Sequence, residues 1–295
     1  MLISIHRPDK LNKPTLGPRK RGLPQTLMAF FVVMTCEPWP ANSEGIPEEP
    51  LPLPSSDTSI IRLPIRFHMI RTTLNKGPVT MDMWFSPQDI HQTLLPEINR
   101  IWEPAGIEWY AEQVVDQEPE ERADLHDTLQ EISRANRATK NRTHLIKSLV
   151  APEYRHPVFH NVYFVPFVGS TTQGFATFGG PVSILNPDGG NQCFVGVWTD
   201  KPSGGKKPPQ KFPLIEKGSF RIGSIARTVS HELGHNLLLS HPERSTQTQF
   251  HRLMGGKKHG YRLIDSEIVR ARKTATGRIN TINHWIAAQQ TERQP

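Results

Sequence analysis

The sequence predicts an α/β domain in which one sheet is covered by helices. Segments with alternating or continuous apolar patterning are interleaved with segments at helical spacing, in the order strand, helix, strand, insert, three strands, helix. One of the strand segments, Val158 to Val168, is apolar on both faces, as an inner strand of a covered sheet must be. The 295 residues, 36% hydrophobic and 21% charged, suffice for a substantial core, so disorder is not the default reading.

The elements follow in chain order. Residues 1–43 read as a signal peptide with a long basic leader, because Leu27 to Thr35 is an uncharged run far shorter than the ~20 residues a spanning helix needs. Small residues at Ala41 and Ser43 mark a processing site. Cys36 could instead carry a lipid, but Val33-Met34-Thr35 matches a lipobox poorly. A secreted, periplasmic or cell-surface location is therefore expected, without a stable membrane span. Residues 44–58 hold four prolines and read as a linker or short pro-segment. The folded domain is expected over 59–276, with 277–295 as a tail.

Ile60 to Ile70 alternates, with Ile61, Leu63, Ile65, Phe67 and Met69 on one side, which is a strand signal. Ser86-Pro87-Gln88-Asp89 opens a helix by a capping box with Pro at its first position, and Ile90, Leu94, Leu95, Ile98, Ile101 and Trp102 continue it. Pro96 is a candidate kink. Ile107 to Ala111 reads as a short strand, and 119–149 as one or two exposed helices. Thr177 to Leu185 and Cys193 to Thr199 read as strands separated by the turn Asn186 to Gly190. Lys201 to Lys217 reads as a basic surface loop. A buried helix is expected from about 219 to 239, marked by Ile222, Ile225, Ala226, Val229, Leu233 and Leu237.

Charge and cysteine usage exclude several functions. The formal net charge is +7, of which residues 1–43 supply +4 (six Lys/Arg against Asp9 and Glu37). The +3 left over is too little to argue for nucleic-acid binding. The two cysteines, Cys36 and Cys193, exclude a disulfide-stapled domain and any zinc site of several thiolates. Metal chemistry must therefore use imidazole and carboxylate.

The last helix contains His231-Glu232-Leu233-Gly234-His235. Residues four apart share one helix face, so the two imidazoles can converge on a zinc ion at ~2.0–2.1 Å. Glu232 is rotated by about 100° from His231, which places its carboxylate beside the metal, where a general base for an activated water belongs. His241 is a third candidate ligand. On a continued helix it would lie about 280° from His231, so the chain must turn after about Leu238. Pro242 suits such an exit. Asp265 and Glu243 are the substitutes for His241.

The block His231 to His241, followed by Arg252-Leu253-Met254-Gly255-Gly256, resembles the metzincin clan of zinc endopeptidases, with its extended histidine motif and downstream Met-turn. Gly260 to Leu263, leading into Ile264 to Ala271, is similar to the clan's closing helix. The resemblance implies a twisted, mostly parallel sheet of about five strands with an antiparallel edge strand, covered by helices. It also implies an active-site helix below the cleft and a small C-terminal subdomain after the third histidine. It implies one catalytic zinc held by His231, His235 and His241, with Glu232 as catalytic base and Met254 as the structural Met-turn residue. A protein or peptide substrate would pair with an edge strand. Thr171 to Leu185 is the candidate, with Gly174, Gly179 and Gly180 permitting close approach. Structural calcium is possible, yet no Asp-rich loop indicates it, and Asn186-Pro187-Asp188 is a turn signal first. The clan's motif glycine falls at Leu238. Either another residue such as Asn236 makes the turn, or Leu238 accepts a left-handed backbone at ~1–2 kcal/mol, or His241 does not bind. Two other functions remain open at this stage: an exported zinc-binding protein without turnover, and a zinc hydrolase of a non-protein amide.

Overall fold

The structure is a computed structural model that describes residues 59–76, 78–119, 125, 127–128, 131, 139–168, 173–177, 190–199, 208–215, 223–242, 251–255 and 260–292. The expectations placed on the leader, the processing site, Cys36, the 44–58 linker, Gly179, Gly180, Asp188 and Glu243 lie outside these residues. Among the described residues no helix is long and apolar enough to cross a membrane.

Strand β1 (Ile61–Ile70) follows the alternation read from the sequence, with Leu63, Ile65, Phe67 and Met69 fully buried. It is followed by a small hairpin of β2 (Leu74–Lys76) and β3 (Val79–Met81). Ser86 then caps α1 (Pro87–Asp89) by the expected box, with Ser86 N–H donating to Asp89 Oδ2 at 2.8 Å and Asp89 N–H to Ser86 Oγ at 3.3 Å. The chain continues through a π-helical turn (Ile90–Leu94) into α2 (Leu95–Trp102). That wide turn stands where Pro96 was expected to kink the helix. Leu95 N–H reaches back to Ile90 O, and Pro96, having no N–H, leaves no donor orphaned by the change of pitch.

β4 (Ile107–Gln117) runs six residues past the predicted short strand, because β1 offers it a parallel partner as far as Ile70. The register shifts between Ile65 and Arg66, leaving Glu112 as the extra residue. Its carboxylate accepts two bonds from Arg66, at 2.8 and 2.7 Å. Arg62–Glu108 and Arg71–Asp116 repeat the pairing above and below it. Partly exposed, each contributes at most ~1 kcal/mol, but together they oppose slippage of the edge strand.

The 119–149 insert contains α3 (Thr139–Lys147). β5 (His160–Val165), β6 (Gly174–Ala176) and β7 (Gln192–Gly196) complete the main sheet in the order β4-β1-β5-β7-β6. The first four are parallel and β6 runs antiparallel at the end beyond β7, matching the expected five strands with an antiparallel edge. Every residue of β5 and β7 is buried, so both faces are covered.

Three local expectations change. The paired part of the sixth strand precedes Thr177, because Phe175 stacks on Phe194 at 4.8 Å and fixes that register. The predicted strand Cys193 to Thr199 is broken at Val197. Its end, β8 (Trp198–Thr199), pairs with β9 (Gln210–Lys211), so part of the predicted loop is strand. Lys211 Nζ lies 5.5 and 5.4 Å from the Trp84 and Trp198 ring centres, a cation–π clamp that sequence periodicity does not show.

Helix α4 (Ile225–Asn236) packs on β6, β7 and α2, and α5 (Asp265–Glu292) closes the fold over β1. The closing helix thus runs well beyond Ala271. Ala271, Ala275, Arg278 and Ile282 continue its buried stripe at helical spacing, and Arg272 donates to the carbonyls of Ala105 and Ser59.

Candidate metal centre

Helix α4 is shorter than the predicted 219–239. Ser224 caps its start, its hydroxyl accepting from Arg227 N–H at 3.2 Å. Its end answers the question raised by Leu238. Leu238 has φ 64°, and among the described residues it is the one non-glycine with positive φ. Leu239 N–H donates to Gly234 O at 2.9 Å and Leu238 N–H to His235 O at 3.0 Å. These are the two bonds of a Schellman terminus, with Leu in the position usually held by Gly. Leu238 itself makes the turn, and the strain is accepted.

The turn brings His241 back to the helix. His231 Nε2 lies 2.9 Å from His241 Nε2, and His235 Nε2 lies 3.2 Å from the same atom. The donor atoms of the three residues all fall within 4.8 Å of one another. A tetrahedral zinc with bonds of ~2.0–2.1 Å requires nitrogens about 3.3–3.4 Å apart, so the cluster fits a metal such as zinc with adjustments of a few tenths of an ångström.

The rings are oriented from behind. His231 Nδ1–H donates to Leu253 O at 2.7 Å and His235 Nδ1–H to Leu239 O at 2.8 Å. Each bond fixes the tautomer that turns the Nε2 lone pair toward the shared centre. Burial lowers the pKa of all three rings. His235 falls to about 4, His231 well below its ordinary value with help from the Arg227 charge, and His241 falls for the same two reasons. All three are neutral at pH 7, the state that binds metal.

Glu232 projects from the same helix and is buried, which pushes its pKa up to about 8 against an opposing pull from Arg227. Strand β6 lies directly against it. A Cβ on Gly174 would stand 2.7 Å from Thr228 Cγ2 and 3.0 Å from Glu232 Oε1, so only glycine lets the strand approach this closely. Met254, fully buried, lies beneath the helix, its Sδ 2.6 Å from where a Cβ on Gly234 would be. Of the substitutes for His241, Asp265 lies in the first turn of α5.

Sequence reasoning missed Arg227. It is buried one helical turn before His231, and it donates from Nε to Gly260 O at 2.9 Å and from Nη2 to Leu253 O at 3.2 Å. A charge within Ile225-Ala226-Arg227-Thr228-Val229, four residues before a histidine, was the available signal. Asn236 was read only as a possible turn residue. Its side chain instead joins Cys193, His160, Thr177 and Gln192 beneath the helix end. Cys193 is buried and its thiol pKa is pushed up by desolvation, which leaves it inert. His156 accepts from the Val158 and Phe159 amides and takes no part in the cluster.

No family model matches the sequence, and no curated protein does. Among solved structures the chain is similar to metalloproteinase-II from Bacteroides fragilis, at 13% identity and a TM-score of 0.39, over 76% of this chain and 56% of that one. It is also similar to a chain of a chaperone–substrate complex, at 11% identity and 0.31, over 75% of this chain and 36% of that one. The chain therefore spans about half the length of the first and about a third of the second. Likenesses this distant carry no functional weight, and the site is read from its own atoms.

Proposed function

We propose that the chain is an exported, zinc-dependent endopeptidase of the metzincin type, in which His231, His235 and His241 hold the metal and Glu232 is the general base. The observation that carries this reading is the convergence of three neutral imidazoles, two of them aimed by backbone carbonyls, beside a buried carboxyl. Zinc bound there supplies Lewis acidity, polarising an amide carbonyl and lowering the pKa of water from ~15.7 toward ~7.

The protein's own residues do the rest. The charge of a metal held by the three histidines would favour the ionised form of Glu232, which accepts the proton of the attacking water and returns it to the leaving amine. Strand β6 comes close to Glu232 at Gly174. An extended peptide adding to β6 would place its backbone beside that carboxyl, and Thr228 and Glu232 form the floor beneath that strand. Met254 and Leu253 support the histidines from below.

Zinc content is measured on purified protein, followed by cleavage of unfolded casein with and without chelator and in Glu232→Gln. One zinc per chain is expected, with hydrolysis abolished by chelator and lost in E232Q while zinc is retained. Zinc bound without any hydrolysis would move the assignment to a binding protein, and turnover of non-protein amides alone would change the substrate class. Failure to bind zinc ends the reading. Export is supported by the basic leader and its apolar run. It is tested by N-terminal sequencing of the protein from an extracytoplasmic fraction, with Glu44 expected first.

A further inference from the structure

We propose that Arg227 is a positioning residue for the metal centre: its guanidinium fastens the Leu253 and Gly260 carbonyls to helix α4 and so fixes the acceptor that orients the His231 ring. The inference rests on the metal-centre reading above and extends it to a residue outside the HExxH block.

Arg227 and His231 are four residues apart on α4 and project from one face, one turn apart. Arg227 is buried, on a helix whose Ala226 and Val229 are fully so. A buried cation is costly unless its donors are satisfied, and an apolar side chain of similar volume would serve packing as well or better. Arg227 directs Nη2 to Leu253 O at 3.2 Å and Nε to Gly260 O at 2.9 Å, spanning the two flanks of the segment that carries Met254.

Leu253 O is the same atom that accepts from His231 Nδ1–H at 2.7 Å. A carbonyl has two lone pairs, and here each has its own donor. The other flank is equally constrained. A Cβ on Gly260 would stand 2.0 Å from Arg252 O, so the chain crosses Arg252 at a separation only glycine permits. Leu253 N–H and Arg262 N–H add bonds to Arg262 O and His251 O, at 2.7 and 2.8 Å. The two described flanks, 251–255 and 260–262, are thus bonded to each other, and Arg227 joins them to the helix at the carbonyl the ligand ring uses. Loss of Arg227 frees that carbonyl to move relative to His231.

The test uses full-length protein carrying Arg227→Met, which keeps the volume of the stem, and Arg227→Lys, which keeps the charge but offers a single nitrogen to two carbonyls. Zinc affinity is measured by chelator competition. The chemical shift of the His231 Nδ1–H is followed by NMR in metal-free protein, a readout of its hydrogen bond within the folded state that general loss of stability does not move. R227M is expected to lose 10- to 100-fold in zinc affinity, the range typical of groups that orient metal-binding histidines, with an upfield shift of the His231 Nδ1 proton as its bond to Leu253 O weakens. R227K is expected to fall between R227M and wild type. Zinc affinity within twofold of wild type in R227M, with the Nδ1 proton unchanged, overturns the proposal. Should R227M fail to melt cooperatively, R227K decides by the same two criteria. If the wild-type protein binds no zinc, the metal reading fails, and the metal-free Nδ1 signal still decides whether Arg227 orients the ring.

Discussion

The Nε2 atoms of His231 and His241 stand 2.9 Å apart, although ten residues and a helix terminus separate them. Because His231 commits its Nδ1–H to Leu253 O, the atom facing His241 is a lone pair. With no cation present His241 can donate its own Nε2–H to that lone pair, and a bound metal takes the place of this proton. Zinc at 100 times its dissociation constant should therefore stabilise the fold by ~2.7 kcal/mol, or roughly 5–10 °C for a domain of this size. Calorimetry with zinc and with chelator measures this. The same shift in His241→Ala would show that the third ring is not a ligand.

Leu238→Gly should stabilise the protein slightly. Relief of the left-handed leucine is worth ~1–2 kcal/mol, against ~0.5–1 kcal/mol for the extra freedom of glycine in the unfolded chain. Denaturant unfolding should show a gain between zero and ~1.5 kcal/mol on those two figures, with zinc affinity kept. A loss above 1 kcal/mol would mean that packing of the half-buried Leu238 side chain outweighs the backbone strain.

Gly234→Ala should destabilise, although alanine is the better helix former by ~1 kcal/mol. The new methyl would meet Met254 Sδ at 2.6 Å and force the thioether aside, at ~1–3 kcal/mol. In a double-mutant cycle with Met254→Ala the two losses should fall short of additive by ~1 kcal/mol or more. Strict additivity would separate Met254 from the helix.

Glu232→Gln should stabilise metal-free protein at neutral and alkaline pH. The folded pKa of about 8 lies above the ordinary 4.5, so the carboxyl opposes folding increasingly as pH rises from 4.5 to 8. At pH 7 the relief is on the order of 3 kcal/mol. Melting curves of both proteins in chelator, at pH 5 and pH 8, should diverge only at the higher pH.

Acid should act in the opposite sense through His68 and His160. Burial depresses them to about 4 and about 3, with neighbouring arginines assisting. Their contribution is complete above the unfolded value of 6.5 and is lost as pH falls below it, at ~1.4 kcal/mol per pH unit for each ring. His160→Gln should flatten the decline in melting temperature between pH 6.5 and 4. An unchanged slope would place the acid sensitivity elsewhere.

What the sequence disclosed follows from range. The alternation in β1, the Ser86–Asp89 box and the His231/His235 pair depend on residues within one or two turns of each other, and all stand where they were read. The length of β4, the Lys211 clamp and the role of Arg227 each depend on a partner far along the chain, so local periodicity carries no trace of them. Leu238 is intermediate. A departure from the clan's glycine was visible, but its resolution in favour of a strained leucine required the backbone angle.

The clasp between Arg272 and Ser59 has a consequence for biosynthesis. The first strand lies under a helix made some two hundred residues later, and Arg278 on that helix reaches the Asn236 and Gly190 carbonyls at the foot of α4. A ribosome-bound fragment lacking α5 would hold the histidines on an unsupported scaffold. Pairing this remote in sequence forms slowly, so competence should arrive late, after α5 has left the exit tunnel and docked.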